Sequence, residues 1–262
     1  MQHLSFSQYN SYVECPRSWY LSKVRGATER PTWYLLMGTV VHSCIEAHLQ
    51  GEPYDLEQMF YRLVLEQRMI EPDVSQWMYG GSESDPIVRE RALQRARECL
   101  EAALEYLQDV DVWEVEYDAS GALPGLSLPV KAYVDIIGEH KKHGPVIIDW
   151  KTGKNKPKSN FQLETYRALL HGTKYSSAVT GLWAMLSPEA SKARPIDLSS
   201  VDPSEVGAKY QAVYERMMAA QYKANVRFAC KFCFHEENCL ARSGPTKRAR
   251  YWDRSEEDGI PF

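Results

Sequence analysis

Several features that define other classes of protein are missing from this sequence. It contains no run of about 18 apolar residues, so no membrane-spanning helix is expected. The first residues lack the basic region followed by an apolar region that marks a secretory signal, and a cytoplasmic location is therefore expected. No phosphate-binding loop of the Walker A type occurs, so the chain is not expected to contain an ATP-driven motor.

A net positive charge is also missing. The 262 residues include 31 basic and 35 acidic side chains, which gives a formal net charge of −4. A protein of this charge is not expected to coat nucleic acid, although an enzyme with a local basic groove remains compatible with it. Three clusters of basic residues could contribute to such a groove, and for each the alternative is an ordinary solvated surface. The clusters are Lys151 to Lys158, Arg89 to Arg97, and Lys247 to Arg250.

The length allows one large domain or two smaller ones, each with a buried core. Apolar spacing changes from a helical period to strand-like alternation near residue 112, which predicts an α/β or α+β fold beneath a helical N-terminal half. Predicted helices cover residues 5–22, 38–50, 55–70, 86–107, 160–171 and 203–224. Predicted strands cover residues 112–117, 126–137, 146–150 and 178–186, with a turn at Gly144-Pro145.

Charged side chains follow two of these strand-like runs. Asp149 and Lys151 are separated by one residue, so on a strand both side chains point to the same face. Asp135 lies in the preceding strand-like run. Two carboxylates and a lysine on adjacent strands suit metal-assisted hydrolysis of a phosphodiester. The acids can bind a hard divalent cation that activates water, and the ammonium can stabilise the developing charge.

Three of the six cysteines lie close together, as Cys230, Cys233 and Cys239. This spacing is typical of ligands to a metal or an iron–sulfur cluster, and Cys15 is the best candidate for the fourth ligand. Disulfides are not expected in a cytoplasmic protein. Zinc bound by the three cysteines together with Cys15 or His235 fits the spacing as well as a cluster does.

Four signals, spread over about half of the chain, occur in an order that resembles the PD-(D/E)XK nucleases, and specifically their RecB-like branch. A lone D-x-K pattern would be weak, but the four together are far more specific. They are the histidine motif from Gly38 to His42, the acid Asp135, the run Asp149-Trp150-Lys151, and the Q-x-x-x-Y motif from Gln162 to Tyr166. The resemblance implies a restriction-endonuclease-like core, a mixed sheet flanked by helices, with a helical N-terminal cap.

The resemblance also implies a metal site. Asp135, Asp149 and His42 would bind Mg²⁺ or Mn²⁺, and the imidazole of His42 would favour Mn²⁺. A hydrogen-bonded core histidine is the alternative for His42. Glu116 could complete the acidic cluster, but Glu114 is an equal candidate by spacing.

Catalytic roles follow from the same resemblance. Lys151 would orient the attacking water and stabilise charge. Gln162 and Tyr166 are one helical turn apart, so they share a helix face and would contact the DNA or hold the lysine and the scissile phosphate. An ordinary helix surface is the alternative for these two residues.

Within the RecB-like branch, the AddB-type enzymes and the fourth family of CRISPR-associated (Cas) proteins carry one cysteine before the nuclease core and three after it. Those four hold a [4Fe–4S] cluster that clips the two ends of the domain together. The match here consists of Cys15, followed by Pro16, and of Cys230, Cys233 and Cys239. The segments implied are a helical region (1–110), the nuclease core (111–225), an iron–sulfur segment (226–245) and an acidic tail (246–262).

The implied function is that of a metal-dependent DNA exonuclease acting from single-stranded ends, with 5′ to 3′ polarity suggested by the family. It would serve recombination, repair or CRISPR adaptation in a bacterium or a phage-infected host. The alternative is an accessory factor that mainly binds DNA and partner proteins, with limited end trimming. A catalytically idle DNA-binding module is disfavoured, because Asp135, Asp149 and Lys151 are all present.

The acidic tail ends in Ile260-Pro261-Phe262 and resembles the tip of bacterial single-strand-binding protein (SSB). Four acids and one arginine give residues 253–258 a net charge of −3. A terminal Phe can fill an apolar pocket while acids steer the approach, which predicts docking on host repair or replication proteins that bind SSB. Self-inhibition, with the acids covering a basic groove of the enzyme itself, and an accidental ending are the alternatives.

Overall fold

The computed structural model of the protein describes residues 1–27, 32–70 and 85–226, together with residues 230, 233, 235, 239 and 241. The chain divides into two compact units, of which one comprises Met1–Phe6 with Arg30–Ala208 and the other Ser7–Glu29 with Lys209–Phe262. The basic cluster from Lys247 to Arg250 and the Ile260-Pro261-Phe262 ending lie outside the described residues. No helix in the described part is both long and apolar enough to cross a bilayer.

A mixed five-stranded sheet forms the centre of the first unit. The described strands are β1 (Leu4–Ser5), β2 (Val110–Asp118), β3 (Val130–Lys131), β4 (Tyr133–His140), β5 (Gly144–Lys151), β6 (Thr180–Met185) and β7 (Ile196–Asp197). The sheet order is β2-β4-β5-β6-β7, in which β5 and β6 are parallel and the other neighbours are antiparallel. A short parallel pair, β1 with β3, stands apart from it. The predicted α/β class and mixed sheet are confirmed.

Helices cover both faces of this sheet. The described helices are α1 (Phe6–Glu14), α2 (Pro16–Lys23), α3 (Trp33–Gln50), α4 (Leu56–Ile70), α5 (Asp85–Leu107), α6 (Phe161–Leu170) and α7 (Pro203–Met218). Side chains of α3, α4 and α5 pack against Ile148 and Trp150 of β5 on one face. Side chains of α6 pack with Ile147 on the other face. Because successive strand residues alternate between faces, Asp149 and Lys151 point to the side of α6.

Two predicted helices differ from those in the structure: one is interrupted, and the other ends earlier than predicted. The predicted helix 5–22 is two helices, α1 and α2, which are separated at Cys15 and Pro16. A proline disfavours helical backbone in the residue before it, and Cys15 is extended, with φ −160° and ψ 104°. Pro16 then opens α2, where its missing N–H costs nothing. The predicted helix 203–224 ends at Met218, close to Ala220 with its positive φ of 51°.

The predicted strand 126–137 and the predicted turn at Gly144-Pro145 were also misplaced. Regular pairing begins only at Val130, after a turn that includes Gly125 at a φ of 74°. The hairpin turn between β4 and β5 lies at residues 141–143, and Gly144 already pairs with His140. Gly144 has a φ of 66°, a left-handed conformation that suits glycine, so it closes the hairpin as the first residue of β5.

Candidate active site

Three of the predicted site residues meet where the sheet and α3 come together. Asp135 lies on β4 and Asp149 on β5, and both carboxylates are buried. His42 projects from α3 and places its Nδ1 atom 3.8 Å from Oδ2 of Asp135. Gly38 lies one turn before His42, where a Cβ atom would stand only 3.2 Å from Oγ1 of Thr152, so the glycine permits this close approach of α3 to the end of β5.

A set of metal-ligating atoms is formed by His42, Asp135 and Glu116. One ligand atom from each residue lies within 4.8 Å of the other two. Ligands that share a divalent cation at bond lengths of about 2.0–2.6 Å are separated by about this distance or less. The donor set is one imidazole and two carboxylates, which suits Mn²⁺ and tolerates Mg²⁺. The residues therefore fit a divalent metal ion.

Glu116 is the member of this set that the sequence alone did not single out. A bulge between Val112 and Glu114 shifts the pairing of β2 with β4, and Glu116 has a positive φ of 47°. Such backbone is costly for a residue other than glycine and persists where the surrounding structure imposes it. Glu114 instead contacts the Tyr175 hydroxyl and the Lys174 ammonium, which is 3.3 Å away. The register of β2 against β4 places Glu116 between the pairs Val115–Ile136 and Tyr117–Val134, level with Asp135, and so distinguishes two glutamates that spacing left equivalent.

Asp149 belongs to a second, adjoining set of contacts that centres on Lys151. The Lys151 ammonium forms an ion pair with Oδ2 of Asp149 and donates to Oε1 of Gln162 at 3.2 Å. The Gln162 amide donates to the Tyr166 hydroxyl at 2.7 Å, and that hydroxyl donates to Oδ1 of Asp149 at 3.3 Å. These four side chains close a ring of contacts, which fixes the lysine head from two sides.

The electrostatics of the site favour a bound cation. Burial, together with the charges of Asp149 and Glu116, raises the pKa of Asp135 well above its usual range. Burial, with the charges of Glu46 and Asp149, also raises the pKa of Glu116. Charged carboxylates repel one another in a poorly solvated site, and a divalent cation removes that repulsion. Glu46, one turn after His42 on α3, is a further acidic neighbour that the sequence argument left without a role.

The imidazole and phenol of the site are held in their neutral forms. Burial is the largest influence on His42 and lowers its pKa, so the ring is available as a metal ligand at neutral pH. Burial and the neighbouring Asp149 and Asp135 carboxylates raise the pKa of Tyr166, which stays a hydrogen-bond donor. Asp135 also accepts the backbone N–H of Trp150 at 2.7 Å, which ties β4 to β5 at the site.

Several basic side chains of the lysine cluster and of α5 have acidic partners. Glu189 forms ion pairs with both Lys154 and Arg95. Arg97 forms one with Glu57. Lys156 and Lys158, in the segment after β5, are exposed. The lysine cluster therefore offers exposed cations beside the site, whereas two of the arginines on α5 take part in ion pairs within the protein.

The predicted cysteine ligands come together in the second unit. Cys15, Cys230, Cys233 and Cys239 line one pocket, and Arg17 and His235 are among its other lining residues. None of these four cysteines forms a disulfide, and none is fully buried. The N–H of Asn225 lies 3.4 Å from Sγ of Cys15, and the backbone of His235 donates to Cys233. Four cysteines that line one pocket, with N–H donors beside two of them, are a donor set that suits a thiolate-bound metal or cluster.

His235 lines the same pocket as the four cysteines. It is almost fully buried, and its Nε2 atom lies 2.7 Å from Oγ of Ser22. Burial raises the pKa of Cys233, as do the nearby Cys15 and Cys239, while the His235 backbone and Ser18 lower it. The mutual influence of the three thiols reflects how closely they lie. The pocket therefore offers four cysteines as candidate ligands in addition to the histidine.

Comparisons with known proteins address the family. No curated protein matches this chain. The crystal structure of SSO0001 superposes with a TM-score of 0.44 at 16% identity, covering 92% of this chain and 87% of that one. A structure from Eubacterium rectale, described as a candidate exonuclease, gives a TM-score of 0.49 at 13% identity, with 89% and 88% covered. Both TM-scores are below 0.5, so neither structure supports an argument about function.

A family model decides the assignment. The sequence model of the PD-(D/E)XK nuclease superfamily matches residues 3–240, which is most of the chain. Asp135, Asp149 and Lys151 lie within the matched residues, on the neighbouring strands β4 and β5. This chain therefore belongs to the PD-(D/E)XK nuclease superfamily.

Proposed function

We propose that the protein is a divalent-metal-dependent DNA exonuclease that hydrolyses phosphodiester bonds from single-stranded ends. One observation carries this proposal. The ring formed by Lys151, Asp149, Tyr166 and Gln162 adjoins a metal-ligating group that includes Asp135. Acids for a cation and an oriented ammonium beside them are the two requirements of metal-assisted phosphodiester hydrolysis.

His42, Glu116 and Asp135 are the residues that would hold the cation, with Asp149 beside them. A divalent cation bound there supplies Lewis-acid stabilisation of the phosphoryl oxygens and lowers the pKa of a water molecule. The raised pKa values of Asp135 and Glu116 have burial as their main cause, so these acids gain most from a neighbouring positive charge.

Lys151 would place its ammonium against the attacking water and the developing negative charge. Asp149 and Gln162 engage two of its three N–H donors, which leaves one direction for the substrate side. Tyr166 donates to Asp149 and accepts from Gln162, so it sets the orientation of both partners of the lysine. Gln162 and Tyr166 are therefore primarily positioning residues for the lysine in this proposal.

The substrate class rests on the sequence resemblance to the RecB-like branch. That resemblance supports single-stranded DNA ends, 5′ to 3′ polarity, and a role in recombination, repair or CRISPR adaptation. The exposed Lys156 and Lys158 beside the site would contact the phosphate backbone. An accessory factor that mainly binds DNA and partner proteins, with limited end trimming, is the second candidate.

The cysteine pocket would hold a [4Fe–4S] cluster, with zinc as the alternative occupant. Four cysteines lining one pocket support a four-thiolate site, and the resemblance to AddB-type and Cas enzymes favours the cluster. Cys15 enters the site because Pro16 ends α1, and the other three follow after α7. A bound cluster would join the N-terminal and C-terminal segments of the second unit.

The Ile260-Pro261-Phe262 ending supports a proposed partner, a host repair or replication protein that binds SSB. The support is its sequence resemblance to the SSB tip. Deleting these three residues should abolish competition with an SSB-tip peptide for such a protein and leave cleavage of naked DNA unchanged. Faster cleavage of naked DNA after the deletion, without any competition, would instead indicate self-inhibition.

The test of the proposed function is release of nucleotides from end-labelled single strands with Mn²⁺ or Mg²⁺, using protein purified without oxygen. Asp149→Ala is the inactive control. Progressive release by the wild type and not by Asp149→Ala supports an exonuclease, and trimming that stops after a few nucleotides favours the accessory factor. No cleavage of any labelled end would exclude both. The absorption spectrum and the iron and zinc content of the same sample decide between cluster and zinc.

A further inference from the structure

The indole of Trp183 lies beneath the head of the catalytic lysine. The Lys151 ammonium stands 5.0 Å from the centre of the Trp183 ring. Trp183 is paired with Asp149 in the parallel β5–β6 register, so both project from the same face of the sheet. Trp183 lies within β6 and carries no charge, and it belongs to none of the four motifs that resemble the nuclease family.

Three partners surround the lysine head, and they differ in what they do. Asp149 and Gln162 take directed contacts through oxygen atoms. Trp183 offers the negative face of a ring, which attracts an ammonium without using an N–H donor. The contact is largely shielded from water, since Trp183 is 5% exposed and the Lys151 side chain 27%. A shielded cation–π contact is stronger than an exposed one.

The indole is itself held in place. Its Nε1–H group donates to Oδ1 of Asn160 at 3.2 Å. Asn160 stands immediately before α6, and its carbonyl accepts the N–H of Glu164 in the first turn. The same helix carries Gln162, the oxygen partner of Lys151. The hydrogen bond between Trp183 and Asn160 thus links the ring on β6 to the start of α6, and both elements supply a partner of the Lys151 ammonium.

We propose that Trp183 is a positioning residue for Lys151, and that its ring face, held by Asn160, keeps the ammonium in its catalytic orientation. The inference rests on the proposed function for its effect on cleavage. The contact itself does not depend on that function. The competing explanation is that Trp183 only fills the core, where it packs with Ile147 and Leu163.

Two substitutions separate these explanations in a single-strand cleavage assay. Trp183→Phe keeps a ring face, whereas Trp183→Leu keeps an apolar side chain without one. We expect Trp183→Leu to lower kcat about tenfold with KM for DNA changed less than about twofold, and Trp183→Phe to stay within about threefold of the wild type. Trp33→Leu, which removes a buried indole stacked on Phe60, controls for general loss of stability. Equal rates for the Phe and Leu variants would overturn the proposal.

A second measurement does not need nuclease activity. Free energies of unfolding, measured by denaturant titration, are compared for the metal-free wild type, Trp183→Leu, Lys151→Met and the double variant. These four proteins form a double-mutant cycle. If the two side chains stabilise each other, the double variant loses less free energy of unfolding than the two single variants lose together. Additive losses would overturn the proposal even if cleavage falls. If the wild type cleaves no DNA, the proposed function fails, and this cycle alone decides on the contact.

A chemical variant covers the case in which Trp183→Leu does not fold. Fluorine on an indole withdraws electron density from the ring face and changes its shape little, so singly and multiply fluorinated tryptophan should lower kcat stepwise. The Trp183→Phe protein, labelled in the same way, carries fluorine at every other tryptophan and should not respond. An equal response of both proteins would assign the effect to another tryptophan and overturn the proposal.

Discussion

The substitution Asp135→Asn should raise the stability of the metal-free protein while it abolishes cleavage. Asp135 is buried, and one of its oxygens lies within 4.8 Å of a ligand atom of Glu116. Two unit charges at that distance repel each other by about 3.5 kcal/mol at an effective dielectric constant of about 20. Both acids have raised pKa values and are not fully ionised without a metal, so we expect the neutral amide to relieve about 1–2 kcal/mol.

The substitution keeps the other contacts of the side chain. The amide oxygen can still accept the Trp150 N–H that Asp135 accepts at 2.7 Å. His42, 3.8 Å away, has a lowered pKa and is mostly neutral, so little attraction is lost. The Tm of the metal-free protein should therefore rise by about 2–8 °C. Cleavage and the stabilisation by added Mn²⁺ should both be lost, because a metal ligand has been removed.

The effect depends on pH in a defined direction. A buried acid whose pKa is raised on folding stabilises the native state at low pH, and this stability is lost as the pH rises through the folded-state value. The wild type without metal should lose stability as the pH rises from the ordinary pKa of an aspartate through the raised folded-state value, and Asp135→Asn should lose less of it. Thermal unfolding in a chelating buffer, with and without excess Mn²⁺, measures both quantities.

The control for this experiment is Asp111→Asn, which neutralises an exposed acid on the neighbouring strand β2. It should leave the Tm and the response to Mn²⁺ nearly unchanged. The reasoning is refuted if metal-free Asp135→Asn is less stable than the wild type at neutral pH. It is equally refuted if Mn²⁺ stabilises this variant as much as it stabilises the wild type.

Further predictions concern single residues of the two sites. Lys151→Met should slow DNA cleavage at least about 100-fold while calorimetry still detects Mn²⁺ binding, and cleavage at the wild-type rate would exclude the lysine from catalysis. Glu116→Gln should weaken Mn²⁺ binding about tenfold or more, whereas Glu114→Gln should not; the reverse order would contradict the assignment of the ligand. His42→Ala should narrow the rate advantage of Mn²⁺ over Mg²⁺, and an unchanged ratio would leave this histidine a structural role. Cys15→Ser should lower the iron or zinc content per chain of protein purified without oxygen, and full retention would place Cys15 outside the site.

Several features could be predicted from the sequence because their causes are local. Strand alternation has a period of two, so Asp149 and Lys151 had to share a face wherever the strand lay. Helical spacing likewise put Gln162 and Tyr166 on one face, and the hydrogen bond between them is present at 2.7 Å. The misplaced boundaries at Cys15 and Gly144 also have local causes, since proline and glycine conformations fix them.

What the sequence could not determine depends on residues far apart along the chain. Only the register in which β2 pairs with β4 separates Glu116 from Glu114. Only the parallel pairing of β5 with β6 brings Trp183 beneath Lys151, 32 positions earlier in the chain. Pairwise spacing along a chain limits which face a side chain takes, but register between strands decides which side chains meet. The sequence alone thus determined the family signals and the type of chemistry, and the tertiary structure decided which acid joins the metal-ligating group and what supports the lysine.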